Sequence, residues 1–148
     1  MSSLDLKALA REFIEARENG LPIAERPSDR DSSFSLAEAY AIGAELVRLR
    51  GKATKGRKVA FASKAMWRKL GIETVVWGPI YEDTLFYTSG NYIELSLNGL
   101  VAHKLEPEIL FKLKEPPATG IETAREVLES VEWLALGFEL VEIGRAHV

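Results

Sequence analysis

Cysteine is absent from the 148-residue sequence, and histidine occurs only twice. The missing cysteine excludes disulfides and thiolate metal sites, and the scarcity of histidine argues against zinc. A metal site in this chain would have to be built mainly from carboxylates, which suit hard ions such as Mg²⁺ or Mn²⁺.

Long apolar runs and basic tracts are missing as well. No apolar run is long enough to span a membrane, and the N-terminal segment MSSLDLKALAREF lacks the apolar core of a secretory signal. The net charge is -3, and the basic residues do not gather into one tract, which argues against a nucleic-acid binder. We therefore expect a cytoplasmic protein with neither a nucleic-acid nor a membrane partner.

The residues that are present are typical of a globular protein, with 47% hydrophobic and 28% charged residues. The length is sufficient for one domain with a core of its own.

Helical periodicity predicts two helices near the N-terminus. The first spans residues 4–19 and ends at Gly20, with an apolar stripe that consists of Leu6, Leu9, Ala10, Phe13 and Ile14. A turn-rich loop follows. Ser35 then begins a second helix, since Glu38 completes a capping box three residues later. This helix ends at Gly51, and its predicted apolar stripe consists of Leu36, Tyr40, Gly43 and Val47.

The rest of the chain alternates between strand and helix patterns. The patterns first predict a strand at 58–63 and a short helix at 63–71, and then one or two strands in ETVVWGPIYEDTLFY, broken at Gly78-Pro79. An alternating strand is predicted in NYIELSLNGL, with a hairpin turn at Asn98-Gly99. The last predicted elements are a strand at 104–113, a helix at 121–131 and an apolar strand at 132–141. The fold class is therefore α+β, with an N-terminal helical cap and then a mostly antiparallel β core.

Two glutamates stand at the front of the strand KLEPEILFKL. Glu106 and Glu108 are two residues apart and so share one face, whereas Leu105, Ile109 and Phe111 point the other way, into a core. Spacing alone favours a sheet face turned to water. Glu139 lies within the apolar run WLALGFELV and is expected to be partly buried, so it needs a cation. That cation is either a lysine or arginine, or a divalent ion shared with the other two glutamates.

Lys58 is a second candidate residue. It shares a strand face with Ala60 and Ala62, whose small side chains leave room for a ligand beside the ammonium group. A lysine at the end of a basic surface loop explains the same pattern.

Four segments together resemble one known family. In chain order they are GRKVAFASKAMW, VVWGPIYEDT, LEPEILFKL and EWLALGFELVE, and they are similar to the 2-keto-4-pentenoate hydratase/decarboxylase family of the fumarylacetoacetate hydrolase superfamily. The similarity runs from about Pro27 to Val141, and its most specific part is the E-x-E strand with the later strand glutamate.

The resemblance implies a metal-dependent lyase with an Mg²⁺ or Mn²⁺ site at Glu106, Glu108 and Glu139. It also implies Lys58 as a catalytic, proton-handling residue and Ser63 as a substrate-binding residue. The implied substrate is a 2-oxo or 2-hydroxydienoic acid from the catabolism of aromatic compounds, hydrated through a metal-stabilised enolate. The full-length protein is expected to be a homo-oligomer.

Three departures from the family pattern leave the reaction open. Ala60 stands where the family usually has glycine, Ala62 where threonine is common, and Val76 where hydratases carry an acid. The alternatives are decarboxylation of a 2-oxo-enedioate, acylpyruvate hydrolysis with His103 in a His–Glu pair, and a catalytically impaired member of the family.

The resemblance also suggests the domain organisation. We expect an N-terminal helical region at 1–52 and the N-terminal part of a catalytic β core at 53–141, incomplete at the C-terminus because family members continue further. The final residues EIGRAHV match read-through of a common sequencing adapter, and we interpret residues 142–148 as a non-native tail.

Overall fold

The computed structural model describes residues 2–100 and 102–142, which fall into two compact units on either side of residue 101. The domain boundaries expected from the sequence stay a prediction. No helix in the described part of the chain combines the length and the apolar character that a membrane span requires.

Three helices open the first unit: α1 spans Leu6–Glu18, α2 spans Pro27–Arg30 and α3 spans Leu36–Arg50. Helices α1 and α3 pack on each other around a buried cluster of Leu9, Ala10, Phe13, Ile42 and Leu46. The predicted stripe of α1 is confirmed by this packing. The one-turn helix α2 lies in the predicted loop and carries an ion pair between Arg26 and Asp29.

The predicted apolar stripe of α3 is wrong. Leu36 is 47% exposed, and the buried residues of this helix are Glu38, Ile42 and Leu46. The helix turns this face inward because it brings Ile42 and Leu46 into the core. Glu38 can lie on the same face because hydrogen bonds satisfy its carboxylate.

Local signals set the ends of α3 as predicted. The amide of Glu38 donates a hydrogen bond to the Ser35 hydroxyl, and the Ser35 amide donates one to the Glu38 carboxylate, which completes the capping box. Gly51 ends the helix with φ of 61°, a left-handed conformation that glycine adopts without a steric penalty.

An antiparallel pair of strands follows: β1 spans Thr54–Ala60, α4 spans Lys64–Leu70 and β2 spans Val76–Tyr81, with a short 3-10 turn at Glu82–Thr84. The predicted break at Gly78-Pro79 is wrong, because β2 runs through both residues. Proline is tolerated there because β1 and β2 form a two-stranded sheet, in which each strand has an unpaired edge.

The strand predicted at 58–63 is displaced toward the N-terminus. It begins at Thr54 and ends at Ala60, because Phe61 adopts a positive φ of 58° that turns the chain. The Phe61 carbonyl then accepts a hydrogen bond of 2.5 Å from the indole of Trp67 on α4.

The strand predicted in NYIELSLNGL is also wrong. Residues 92–97 have no regular secondary structure, although Gly99 has a φ of 81° and the Leu100 amide donates to the Leu97 carbonyl in a turn. Alternation of apolar and polar residues does not produce a strand where the described residues supply no pairing partner.

The second unit contains β3 at His103–Leu113, α5 at Ala124–Glu129 and β4 at Val131–Glu142. Strands β3 and β4 pair antiparallel along their length, with one register shift between Lys112 and Leu113. Thr123 and Glu126 form a capping box at the start of α5, which is shorter than predicted. Of the predicted tail, Glu142 ends β4, and the remaining positions lie outside the described residues.

The apolar face of β3 does not enter a core in the described structure. Leu105, Ile109 and Phe111 are 60%, 60% and 54% exposed, so the prediction that they are buried is wrong. Their strand partners on the same face, Leu140, Leu136 and Leu134, extend this apolar surface across β4. The only strand that pairs with β3 in the described chain is β4, and a two-stranded sheet buries little apolar area.

The N-terminal segment is tied to α3 through Glu38, and this generates a prediction about pH. Hydrogen bonds from the hydroxyls of Ser35 and Ser2, both 2.7 Å, lower the pKa of Glu38 from 4.5 to about 2. A lowered pKa stabilises the folded state above the unfolded value, and that stabilisation is lost as the pH falls through the folded value. We expect Glu38→Gln to reduce stability at pH 7 and to flatten its pH dependence between about 4.5 and 2.

Chemical denaturation over a series of pH values measures this effect. Glu15→Gln is a matched control because it removes one exposed carboxylate from α1. Equal losses in the two variants would contradict the role assigned to Glu38.

Candidate active site

The register of β3 and β4 brings three glutamates together. Glu106 lies directly opposite Glu139, and Glu108 is two residues further along the same face of β3. One carboxylate oxygen from each residue lies within 4.8 Å of the other two. Glu106 and Glu108 are exposed, and Glu139 is half-buried as the sequence predicts.

Gly137 is a neighbour of this cluster that the sequence analysis missed. It lies opposite Glu108, and a Cβ built on Gly137 would lie 2.1 Å from Cδ1 of Leu110. The leucine side chain therefore leans over the glycine backbone, and any larger residue at 137 would displace it. The position of a glycine two residues before Glu139 is the only signal of this in the sequence.

Two lysines of β3, Lys104 and Lys112, alternate onto the same face as the carboxylate cluster. Lys112 lies on the same face of β3 but forms an ion pair with Glu132 at 3.2 Å. Three carboxylates this close repel one another, and a divalent cation among them would remove that repulsion.

Lys58 and Ser63 lie in the first unit. Lys58 is half-buried on β1, directly opposite Gly78 on β2. Ser63 is exposed and occupies the N-cap position of α4, where its carbonyl accepts a hydrogen bond from the Trp67 amide. Ala60 and Val76 are opposite each other on the same face as Lys58, so the surroundings of the lysine are small or apolar.

Aromatic stacking fixes β2 beside Lys58. Trp77 stacks on Tyr40 of α3 with ring centroids 5.2 Å apart, and its amide donates a 3.2 Å hydrogen bond to the Tyr40 hydroxyl. On β1, the guanidinium of Arg57 lies 4.2 Å from the Trp77 ring centroid, which adds a cation–π contact. Sequence patterns did not reveal this cluster, since Tyr40 is remote from Trp77 along the chain.

A second set of side-chain contacts holds the end of β2. The Tyr81 side chain is buried, and the guanidinium of Arg50 lies 4.0 Å from its ring centroid and pairs with Asp83 at 2.9 Å. Burial raises the pKa of Tyr81, while the charge of Arg50 opposes the shift. Tyr81 is therefore a neutral structural residue at physiological pH.

His103 lies away from the carboxylate cluster. It is opposite Glu142 in the strand register, but both residues alternate onto the face that carries Leu105, not the face of Glu106. The sheet therefore separates this His–Glu pair from the three glutamates.

The curated proteins that are similar to this chain are hydratases and a decarboxylase. They include 2-hydroxyhexa-2,4-dienoate hydratase of Comamonas testosteroni, 29% identical over 142 residues, which cover 89% of this chain and 53% of that protein. The 2-keto-4-pentenoate hydratase of Paraburkholderia xenovorans is 29% identical over 135 residues, 89% of this chain and 49% of that protein. A 4-oxalocrotonate decarboxylase of a Pseudomonas species is 29% identical over 115 residues, 76% of this chain and 43% of that protein.

The chain is similar to 2-keto-4-pentenoate hydratases and to a 4-oxalocrotonate decarboxylase. The resemblance drawn from the four sequence segments is thereby confirmed. The chain spans about half the length of the curated relatives it matches. No family model matches it.

Solved structures of a 4-oxalocrotonate decarboxylase have the same fold. The 4-oxalocrotonate decarboxylase from Pseudomonas putida G7, complexed with calcium and acetate, aligns with a TM-score of 0.82 at 21% identity, over 96% of this chain and 56% of that one. The same enzyme complexed with magnesium and adipate aligns with a TM-score of 0.79 at 19% identity, over 99% of this chain and 57% of that one. These alignments confirm the predicted α+β fold with antiparallel sheets.

Mutual repulsion in the carboxylate cluster is testable without any metal. In a buffer with a chelator, we expect Glu106→Gln to raise the free energy of unfolding by about 0.2–1 kcal/mol, because it removes a like-charge pair across the strands. Thermal or denaturant unfolding measures the change. The control is Glu122→Gln, which neutralises an exposed carboxylate in the loop before α5. An equal gain in the free energy of unfolding of this control would contradict repulsion within the cluster.

Proposed function

We propose that Glu106, Glu108 and Glu139 bind a divalent cation, Mg²⁺ or Mn²⁺, in a lyase that acts on a 2-hydroxydienoic or 2-oxo acid. The observation that carries the proposal is the convergence of three carboxylate oxygens within 4.8 Å on one sheet face. The calcium and magnesium complexes of the similarly folded decarboxylase support a cation in this family.

The donor set fits such an ion. Magnesium prefers oxygen ligands at about 2.0–2.1 Å and calcium at about 2.3–2.6 Å, so two ligands on opposite sides of either ion are about 4–5 Å apart. The upper limit of 4.8 Å between the glutamate oxygens is compatible with that range. The exposure of Glu106 and Glu108 leaves room for water and substrate oxygens to complete the coordination.

The cation, when bound, supplies Lewis-acid stabilisation of negative charge that develops on the substrate oxygen. The chain supplies the other functions. The glutamates would hold the ion. The family resemblance assigns proton transfer at a substrate carbon to Lys58 Nζ and a hydrogen bond to the substrate to the exposed Ser63 hydroxyl. Lys58 is half-buried, whereas Ser63 is exposed.

Hydration of a 2-hydroxydienoate is the first candidate reaction, because two of the relatives are hydratases of such compounds. Decarboxylation of a 2-oxo-enedioate is the second. Val76 favours it, since this residue presents an apolar side chain on the Lys58 face, where an acid would help to activate water.

Acylpyruvate hydrolysis has less support. Its His–Glu pair would use His103, which lies on the sheet face opposite the carboxylate cluster. A water activated there would be on the wrong side of β3 and β4 to attack a substrate held by the glutamates.

Cation binding provides the first test. We expect isothermal titration with MgCl₂ to show one binding event, and Glu108→Gln to weaken it at least about tenfold because one of three ligands is lost. Glu115→Gln, an exposed residue just after β3, is the control. An unchanged affinity in Glu108→Gln, or no binding of Mg²⁺, Mn²⁺ or Ca²⁺ by the parent chain, would contradict the site.

Turnover provides the second test. With Mg²⁺ present, the chain is assayed on a 2-hydroxydienoate by the loss of dienol absorbance and on a 2-oxo-enedioate by CO₂ release. We expect Lys58→Met to lower turnover by about 10²–10⁴-fold, the usual contribution of general acid–base catalysis. Lys55→Met removes an exposed lysine of the same strand. Equal activity in the two variants would remove Lys58 from the mechanism.

A further inference from the structure

The Lys58 side chain lies across the backbone of Gly78. These residues are directly opposite each other in the β1–β2 pair and therefore share one sheet face. An ideal Cβ on Gly78 would lie 3.6 Å from Cε and 3.8 Å from Cγ of Lys58. Two carbons of the lysine stem therefore lie beside the position where a side chain of Gly78 would begin.

The neighbouring residues leave this path open. Ala60 and Val76, opposite each other, lie on one side of the Lys58–Gly78 pair, and Gly56 and Ile80 lie on the other. A Cβ on Gly56 would meet Ile80 Cδ1 at 3.7 Å and no atom of Lys58 within 4 Å, so Gly56 does not bound the stem. A lysine stem has four rotatable bonds, so its direction depends on the surface that it contacts.

The surface under the lysine is itself held in place. The Trp77 amide is hydrogen-bonded to the Tyr40 hydroxyl, and the Trp77 ring lies between Tyr40 and Arg57. These contacts anchor the residue before Gly78 to α3 and to β1. The Gly78 backbone that faces the Lys58 stem is therefore held through its neighbour Trp77.

We propose that Gly78 is a positioning residue for Lys58. Because Gly78 has no side chain, the lysine stem can lie over its backbone, and this contact directs the ammonium group. The inference rests on the proposed role of Lys58 in proton transfer. Gly78 itself touches no reacting atom in this scheme and acts only through the lysine.

Side-chain size gives graded variants. A Cβ alone would make ordinary contacts at 3.6 and 3.8 Å, so Gly78→Ala should leave the stem in place. Gly78→Val adds two further carbons on the same side, which the stem must avoid. Gly56→Val is the matched control, because its Cβ lies in the same sheet but would meet Ile80 Cδ1 at 3.7 Å instead of the lysine. Neither glycine has a positive φ, so neither substitution strains the backbone.

Two readouts separate placement from catalysis. The first is the rate at which an N-hydroxysuccinimide ester acetylates Lys58 at one fixed pH, followed by mass spectrometry of the peptide. The second is kcat and KM for a 2-hydroxydienoate with Mg²⁺. Circular dichroism checks the fold. If Gly78→Val is unfolded, Gly78→Ser replaces it, with a smaller change expected in the same direction.

We expect Gly78→Val to acetylate several-fold faster at Lys58 and to lose on the order of 10–100-fold in kcat with little change in KM, because a displaced lysine misses the reacting atom. Gly78→Ala and Gly56→Val should behave like the parent chain. Parent-like acetylation in Gly78→Val, or an equal change in Gly78→Ala or Gly56→Val, would overturn the proposal. If the acetylation rates of the variants follow the expected order but the parent chain shows no turnover, the result would support the placement of the lysine and contradict the proposed function.

Discussion

The backbone register between β3 and β4 is the constraint on which the candidate metal site depends. Antiparallel hydrogen bonds place Glu106 opposite Glu139, and strand alternation then adds Glu108 to the same face. No loop contributes a ligand to this cluster. The geometry of the carboxylates is therefore set by the most regular part of the second unit, and regular strands position side chains more accurately than loops do.

Both sheets use glycine to make room beside a charged residue. Gly137 lies opposite Glu108 and is covered by Leu110, while Gly78 lies opposite Lys58 and carries its stem. In each case a residue without a side chain lets a neighbouring long side chain lie flat on the sheet. Among the described residues, each two-stranded sheet thus has a glycine beside a longer side chain, Leu110 in one sheet and Lys58 in the other.

Some of this structure is predictable from sequence because its causes are local. The capping box of Ser35 and Glu38 joins residues three apart, and the strand that carries Glu106 follows from alternation. The continuity of β2 through Pro79 was not predictable, because it depends on which edge of the strand is unpaired. The proximity of Glu139 to Glu106 depends on a pairing register between segments about thirty residues apart. Composition and spacing left that proximity open, and only the family resemblance suggested it.

The β3–β4 register also determines how the gene can change in length. Side chains in a strand alternate with a period of two, so the gain or loss of one codon between Glu106 and the end of β3, or between Val131 and Glu139, would turn a glutamate onto the opposite face. The loop at 114–123 between β3 and α5 has no such parity to maintain. Length variation among homologous genes should therefore accumulate in that loop and be purged from the two strands.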